Sequence, residues 1–193
     1  MPILGLWKQK LYLLSSFITA LLSLGCSTTQ KTAGTGGYSA VAQNVVRIAL
    51  VEASKNLDFS PYAGQSISCQ IIGFADENMR PYFQYFFESK LEDAGCSLGG
   101  AESDLKLQVV VHSAGNDVGY SSIIIQGRSR SEGKVNMSII LRDKNNQKLM
   151  DEDISGESKF ESRVTLGVAA RDGAYYVNKD GEKWIKIGDP NDF

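Results

Sequence analysis

Residues 134–142 read KVNMSIILR, and this stretch decides the fold class. Every second residue from Val135 to Leu141 is apolar, and most residues between them are polar. This pattern is typical of a strand with one buried face. Residues 105–112, LKLQVVVH, show the same alternation. Because such segments follow one another along the chain, the sequence predicts an antiparallel meander. Further strands are predicted at residues 66–74, 118–126 and 149–160.

Two helices are predicted before the meander. One begins at Ser39, a residue type that favours helix N-termini, and runs to about Asn56, because apolar residues recur at intervals of three and four. The other runs from Glu77 to Ala94, with phenylalanines on one face and Gly95 as the stop. The element order predicts an α+β fold, in which two helices pack on one face of a small mixed or antiparallel sheet.

The composition excludes some classes of function. The 193 residues include 20 Lys and Arg against 22 Asp and Glu, a formal charge of −2. This balance removes the electrostatic reason to expect a nucleic-acid-binding protein. One histidine and three cysteines leave few ligands for a transition metal. We therefore expect no nucleic-acid partner, no metal site and no cofactor.

The N-terminus has the pattern of a signal peptide. Lys8 and Lys10 precede fourteen mostly apolar residues, 11–24. The small residues Gly25 and Cys26 follow this stretch. Fourteen helical residues span about 21 Å, which is short of the ~30 Å hydrocarbon core of a bilayer. The sequence therefore predicts that residues 1–25 are a removed signal peptide rather than a permanent membrane span.

Residues 22–26, LSLGC, resemble a bacterial lipobox. In such a motif, cleavage before the cysteine leaves that residue acylated, so the resemblance implies that Cys26 is the lipidation site. Several acyl chains would anchor the protein firmly in a membrane. By resemblance to enterobacterial sorting, Ser27 implies the outer membrane, and residues 26–37, which are polar and glycine-rich, read as the lipidated cysteine and a flexible tether. The alternative is an ordinary signal peptide, with Cys26 a plain thiol.

Residues 38–168 are predicted to form the periplasmic domain, and residues 169–193 a C-terminal tail with a hairpin around Asp180 and Gly181. The tail either docks on the domain or remains mobile, because two short strands are marginal on their own. Its aromatic residues are candidates for a partner-binding surface, or they pack onto the parent sheet. They are Tyr175, Tyr176 and Trp184.

If Cys26 is acylated, two of the three cysteines remain, Cys69 and Cys96. Export to an oxidising compartment makes a disulfide between them one reading of the sequence, and two buried free thiols are the other.

Candidate catalytic groups are few. A nucleophile elbow has a glycine two residues before and two residues after its serine, and Ser113 has Val111 in the first of these positions. Its proximity in sequence to His112 therefore does not indicate a hydrolase, even with Asp104 nearby. Residues 143–147 share the alternate oxygen spacing of a calcium loop but lack its glycine, and they read as a solvated turn. The acidic run 151–153 is most simply an exposed strand edge that guards against edge pairing, and a docking patch for a basic partner is the alternative.

One stretch carries a resemblance to a protein family. Residues 57–64, LDFSPYAG, are followed by a strand, an aromatic helix that ends in Ala94 and Gly95, and residues 104–113. Over residues 40–168 this resembles a family of uncharacterised bacterial lipoproteins, which implies a location but brings no known catalytic residues. More loosely, the arrangement is similar to accessory lipoproteins of envelope assembly, such as those for curli secretion or lipopolysaccharide insertion.

These features together predict a non-enzymatic lipoprotein of the outer membrane. Its domain would face the periplasm and act as a binding or accessory component of a cell-envelope assembly, with another envelope protein as partner. One alternative is a carrier or sensor of a lipid or glycan, which needs a groove between helices and sheet. The other is a hydrolase, which needs polar side chains that converge in a cleft.

Overall fold

The computed structural model describes residues 32–33, 40–73, 79–100, 102–123, 126–165, 168–179 and 181–188. The helices are α1 (Ala40–Ala53) and α2 (Arg80–Asp93), with a short 3-10 turn at Ser60–Tyr62 between them. The strands are β1 (Thr32–Ala33), β2 (Ser66–Ile72), β3 (Ser97–Leu98), β4 (Leu105–Ile123), β5 (Gln126–Asp143), β6 (Lys148–Thr165), β7 (Val168–Lys179) and β8 (Lys183–Ile187).

All described strands belong to one mixed sheet. Its order is β3-β2-β4-β5-β6-β7-β8, and β1 pairs with β4 near Val118. The strand β2 is parallel to β3 and to β4, because α2 carries the chain back across the sheet between them. Every other pairing is antiparallel. The predicted α+β fold, with helices on one face of a mixed sheet, is confirmed.

The meander has fewer and longer strands than the sequence predicts. Residues 105–112 and 118–126 were expected to be separate strands, but β4 runs without interruption from Leu105 to Ile123. A register shift between Val111 and Ser113 is the one irregularity in its pairing with β5. Residues 113–117, which separate the two predicted strands, belong to β4 because β5 pairs with them throughout. Cross-strand pairing here overrides local propensity.

The C-terminal segment is part of the sheet rather than a separate tail. The strand β7 pairs with the end of β6, with Val177 opposite Ser158, and β8 pairs with β7, with Ile185 opposite Val177. Val177 and Ile187 are buried against Ile48 of α1. The predicted boundary at residue 168 therefore does not separate two units in the structure.

Both helices cover the same face of the sheet, and the main core lies beneath them. Helix α2 buries Phe83, Phe87 and Leu91, whereas Phe86 is only partly buried. The strands contribute the alternating residues that the sequence pattern identified. They are Leu105, Leu107, Val109 and Val111 from β4 and Val135, Met137, Ile139 and Leu141 from β5.

Helix α1 touches the sheet with its backbone. A methyl group on Gly133 would lie 2.4 Å from the carbonyl carbon of Val45, and one on Gly156 would lie 2.0 Å from the carbonyl oxygen of Ala49. Between these contacts, the hydroxyl of buried Ser158 donates a hydrogen bond to the Val45 carbonyl, at 2.5 Å. Only small residues fit at these positions, because a larger one would lift the helix from the core.

This contact predicts a position-specific effect of adding one methyl group. Gly156→Ala should lower the free energy of unfolding by about 3 kcal/mol, the upper end of overpacking costs in protein cores. Urea denaturation followed by circular dichroism measures this. The control is Gly119→Ala in β4, where nothing lies within 4 Å; that variant should match or slightly exceed the wild type, since alanine is favoured over glycine in strands. Equal stability of the two variants would contradict the contact.

Candidate functional site

The face of the sheet opposite the helices is the outer face, and it carries the polar half of each strand's alternation. No helix within the described residues packs on it, because α1 and α2 both bury their apolar residues in the core on the other side. Lys106, Lys134 and Asn136 are exposed there. A strand face that is left open and polar in this way is available to solvent or to a binding partner.

Two features interrupt this polar face. One is a group of half-buried aliphatic side chains, Ile72, Val110 and Ile140, and the other is a cluster around Lys159. The side chain of Lys159 lies between two aromatic rings, with its Nζ 5.0 Å from the ring centre of Tyr176 and 4.6 Å from that of Trp184. Its ammonium also pairs with Glu161, at 2.9 Å. Only 13% of the lysine side chain is exposed, and cation–π attraction holds it in place. We call these three residues, Lys159, Tyr176 and Trp184, the aromatic-lysine cluster.

Tyr175 does not belong to this surface, which corrects the expectation that Tyr175, Tyr176 and Trp184 lie together. Successive residues of a strand point to opposite faces. Tyr175 therefore points to the helix side, where its ring centre lies 4.7 Å from that of Phe160 and its hydroxyl accepts a hydrogen bond from Asn44, at 3.3 Å. The alternative, that the tail aromatics pack onto the parent sheet, describes all three residues, because Tyr176 and Trp184 pack on Lys159 of β6 on the outer face.

Sequence reasoning missed Lys159, the residue that joins the two rings. The sequence places Lys159 in a strand but gives no register between that strand and the C-terminal hairpin. In the structure Lys159 lies directly opposite Tyr176. The alternation of β6 was the available signal, since it puts Lys159 on the same face as Asp151 and Asp153 of that strand.

A polar row crosses three strands of the outer face. The hydroxyl of Ser138 on β5 donates a hydrogen bond to Asp153 of β6, at 2.5 Å, and lies 2.7 Å from Nε2 of His112 on β4. The serine stands between the imidazole and the carboxylate. A hydrolytic triad needs the histidine in the middle, where it can take the proton from the serine. This row is therefore not arranged as such a triad.

The other candidate catalytic residue lies far from His112. Asp104 accepts hydrogen bonds from Lys144, at 2.8 Å, and from the backbone N–H of Ser66, at 3.3 Å. These contacts lower the pKa of the Asp104 carboxyl. Eight positions of extended chain separate it from His112, about 26 Å at the rise of a strand. The structure does not bring Asp104, His112 and Ser113 together.

Residues 143–147 form a closed turn. The Asp143 carboxylate accepts the backbone N–H groups of Asn145 and Gln147, both at 2.8 Å. These hydrogen bonds satisfy backbone N–H groups of the turn that joins β5 to β6, as the interpretation of a solvated turn predicts. Within the described part of the chain, no three histidine, cysteine or acidic side chains lie together as a metal site would require.

An open cleft of about 720 Å3 lies between the C-terminal end of α1 and the first half of β6. Its lining is mostly polar and includes Lys55, which pairs with Glu52. Glu157 accepts hydrogen bonds from Asn178, at 2.8 Å, and pairs with Lys134, at 3.3 Å. The hydrogen bond from Asn178, aided by Lys134, holds the pKa of Glu157 below its ordinary value, although partial burial opposes it. These two ion pairs leave Glu152 and Asp153, which also line the cleft, as an excess of negative charge.

Cys69 and Cys96 are free thiols in the structure, so of the two readings of the sequence the unbridged one is found. The sheet register explains why. Ser97, next to Cys96, lies opposite Ser66, which puts Cys96 about four strand positions, or about 13 Å, from Cys69. A disulfide needs Cα atoms within about 7 Å. The Cys96 thiol instead lies 3.4 Å from the carbonyl oxygen of Tyr62.

The environment of both thiols predicts low reactivity. Burial, together with the Glu88 carboxylate, raises the pKa of Cys69 to about 12, and burial also raises the pKa of Cys96. Because the thiolate is the nucleophile, Cys69 in the native protein should react with iodoacetamide at pH 8 about a thousandfold more slowly than a free cysteine. Mass spectrometry over a time course measures this.

The same experiment in denaturant, without reductant, checks the pairing. Both cysteines should then alkylate fully. A pair that becomes reactive only after reduction would instead demonstrate a disulfide and would contradict the register given above.

The predicted signal peptide, the lipidation site Cys26 and most of the tether lie outside the described residues. Thr32–Ala33 corrects the prediction that residues 26–37 are a flexible tether throughout, because these two residues form β1 and pair with β4. Among the residues that the structure describes, no helix is both long and apolar enough to cross a membrane.

Searches against protein-family models and against curated proteins gave no match to this chain. The resemblance of residues 40–168 to bacterial lipoproteins therefore stays a prediction, and the functional argument rests on the chain's own residues.

Proposed function

We propose that this protein is a non-enzymatic, lipid-anchored accessory protein of the bacterial outer membrane, whose periplasmic domain binds another cell-envelope protein. The anchor is Cys26, and residues 27–31, which precede β1, let the domain stand away from the bilayer. The observation that carries the binding role is the aromatic-lysine cluster on the outer face of the sheet.

The cluster has the composition of a protein-binding centre. Tyrosine and tryptophan are enriched where interfaces contribute most energy, since each provides a large area with few rotatable bonds. Lys159 holds both rings in place before any partner arrives, so little side-chain entropy remains to be lost on binding. The polar residues around the cluster would form the hydrated rim that such centres have.

The cleft beside α1 favours this role over that of a lipid carrier. A lipid-binding pocket is lined mainly by apolar side chains that enclose the ligand. This cleft is open and mostly polar, and four of its six charged residues form two ion pairs. A hydrolase receives no support from the polar row either, since the Ser138 hydroxyl donates its hydrogen bond to Asp153 rather than to His112.

The anchor is tested by removing the acylated thiol. In cells fed a clickable fatty acid, Cys26→Ala should abolish labelling and move the protein from the membrane fraction to the soluble fraction. Cys69→Ala is the matched control and should leave labelling and fractionation as in the wild type. Labelling that persists in Cys26→Ala would contradict the lipoprotein assignment.

The binding surface is tested by crosslinking in living cells with a membrane-permeable reagent, followed by purification in mild detergent and mass spectrometry. The wild type should bring down a stoichiometric envelope protein. Tyr176→Ser combined with Trp184→Ser should reduce its recovery at least about tenfold, the scale of a lost hot spot. The control is Tyr85→Ser on α2, which removes a 72% exposed ring from the other side of the molecule.

The variants' thermal unfolding, followed by circular dichroism, separates loss of binding from loss of folding. Recovery of the wild type without a partner, or equal losses in the double variant and the Tyr85 control, would count against the proposed surface.

A further inference from the structure

The strand β6 is paired on one side only along its first half. It pairs with β5 from Lys148 to Thr165, but with β7 only from Ser158 onwards. Among the described residues, no strand pairs with the other edge of residues 148–157, and only the Asn178 side chain of β7 reaches its end, at Glu157. Backbone N–H and C=O groups along such an edge can accept a further strand.

The charge of this edge restricts which strand can join it. Residues 148–157 contain one lysine and four acids, which gives a formal charge of −3. Asp151, Glu152 and Asp153 are all exposed. Two copies of this edge would bring like charges together, which is unfavourable across paired strands. A strand that adds here therefore has to be basic.

The chain itself contains a basic strand with an open edge. The strand β8, KWIKI, carries two lysines and no acid, a formal charge of +2. It pairs with β7 on one side, and no described strand covers its other edge. Lys183, Ile185 and Lys186 are exposed. Ile185 is one of the few large apolar residues at the surface, with 38% of it exposed.

The two edges also match face by face. Ile185 lies opposite Val177, which lies opposite Ser158, so Ile185 is on the helix side together with Ile154. Lys186 and Asp153 are both on the outer face. An antiparallel pairing that sets Ile185 opposite Ile154 also sets Lys186 opposite Asp153. Apolar then meets apolar and lysine meets aspartate.

We propose that copies of this protein associate head to tail, with β8 of one copy added to the free edge of β6 in the next. The two surfaces differ, so the contact is heterologous and builds a closed ring or an open chain of copies. This association is separate from the partner binding proposed above, because edge pairing leaves the ring faces of Tyr176 and Trp184 on the outer face of the sheet.

Two charge-swapped proteins test the pairing. The first carries Asp151→Lys and Asp153→Lys, so that both edges are positive, and the second carries Lys183→Glu and Lys186→Glu, so that both are negative. The full chain is purified in mild detergent, and its mass is followed by native mass spectrometry over a dilution series. The matched control is Lys106→Glu with Arg128→Glu, which changes charge away from both edges.

The wild type and the control should form multiples of the chain mass, and high salt should weaken them. Each swapped protein should be a single chain. An equimolar mixture of the two should recover the assembly, because each edge then meets its opposite, and this recovery also demonstrates that both variants are folded.

Three outcomes would overturn the proposal. They are a wild type that stays a single chain at all concentrations, assemblies that survive both swaps, and swapped proteins that fail to reassemble when mixed. If the wild type stays a single chain while a different envelope protein crosslinks to residues 148–157, the edge serves a heterologous partner strand, and self-pairing is wrong. Loss of the Tyr176 and Trp184 partner alone would leave this inference standing.

Discussion

The contact between the backbone of α1 and the strands β5 and β6 is the constraint on which the rest of the structure depends. At Gly133 and Gly156 the helix lies directly on the sheet, with no side chain between them. This seats α1 across the long strands, so that Val46 and Leu50 reach the main core and Ile48 reaches the C-terminal hairpin. A helix held further away would leave both clusters loosely packed.

Because both helices occupy one face, the other face of the sheet is left to mostly polar residues, a few half-buried aliphatic ones and the aromatic-lysine cluster. Among the described strands, the same arrangement leaves an acidic edge open on β6 and a basic edge open on β8. Natural proteins guard open edges with charge to prevent indiscriminate pairing. Opposite charges on two edges of one chain prevent like edges from pairing and permit unlike ones. The features available for binding are thus consequences of how the helices are placed.

Much of the fold was predictable because local pattern and tertiary environment agree. The alternation around Met137 and the spacing of Phe83 and Phe87 identify buried faces that the structure confirms. The candidate site was less predictable, because it depends on register. Tyr175 and Tyr176 are adjacent in sequence but lie on opposite faces, and Lys159 joins Tyr176 only through a pairing between distant strands. The thiols of Cys69 and Cys96 stay apart for the same reason.

The sequence by itself determined the number of helices, the alternating strands, the class of the fold and the prediction of a lipid anchor at Cys26. Each of these depends only on the local spacing of residues or on a short motif. Only the tertiary structure decided that β4 is one strand, that the C-terminal hairpin completes the sheet, and which aromatic residues face outward. Those outcomes follow from which strand lies beside which, and pairing between distant segments leaves no mark in the local pattern of either.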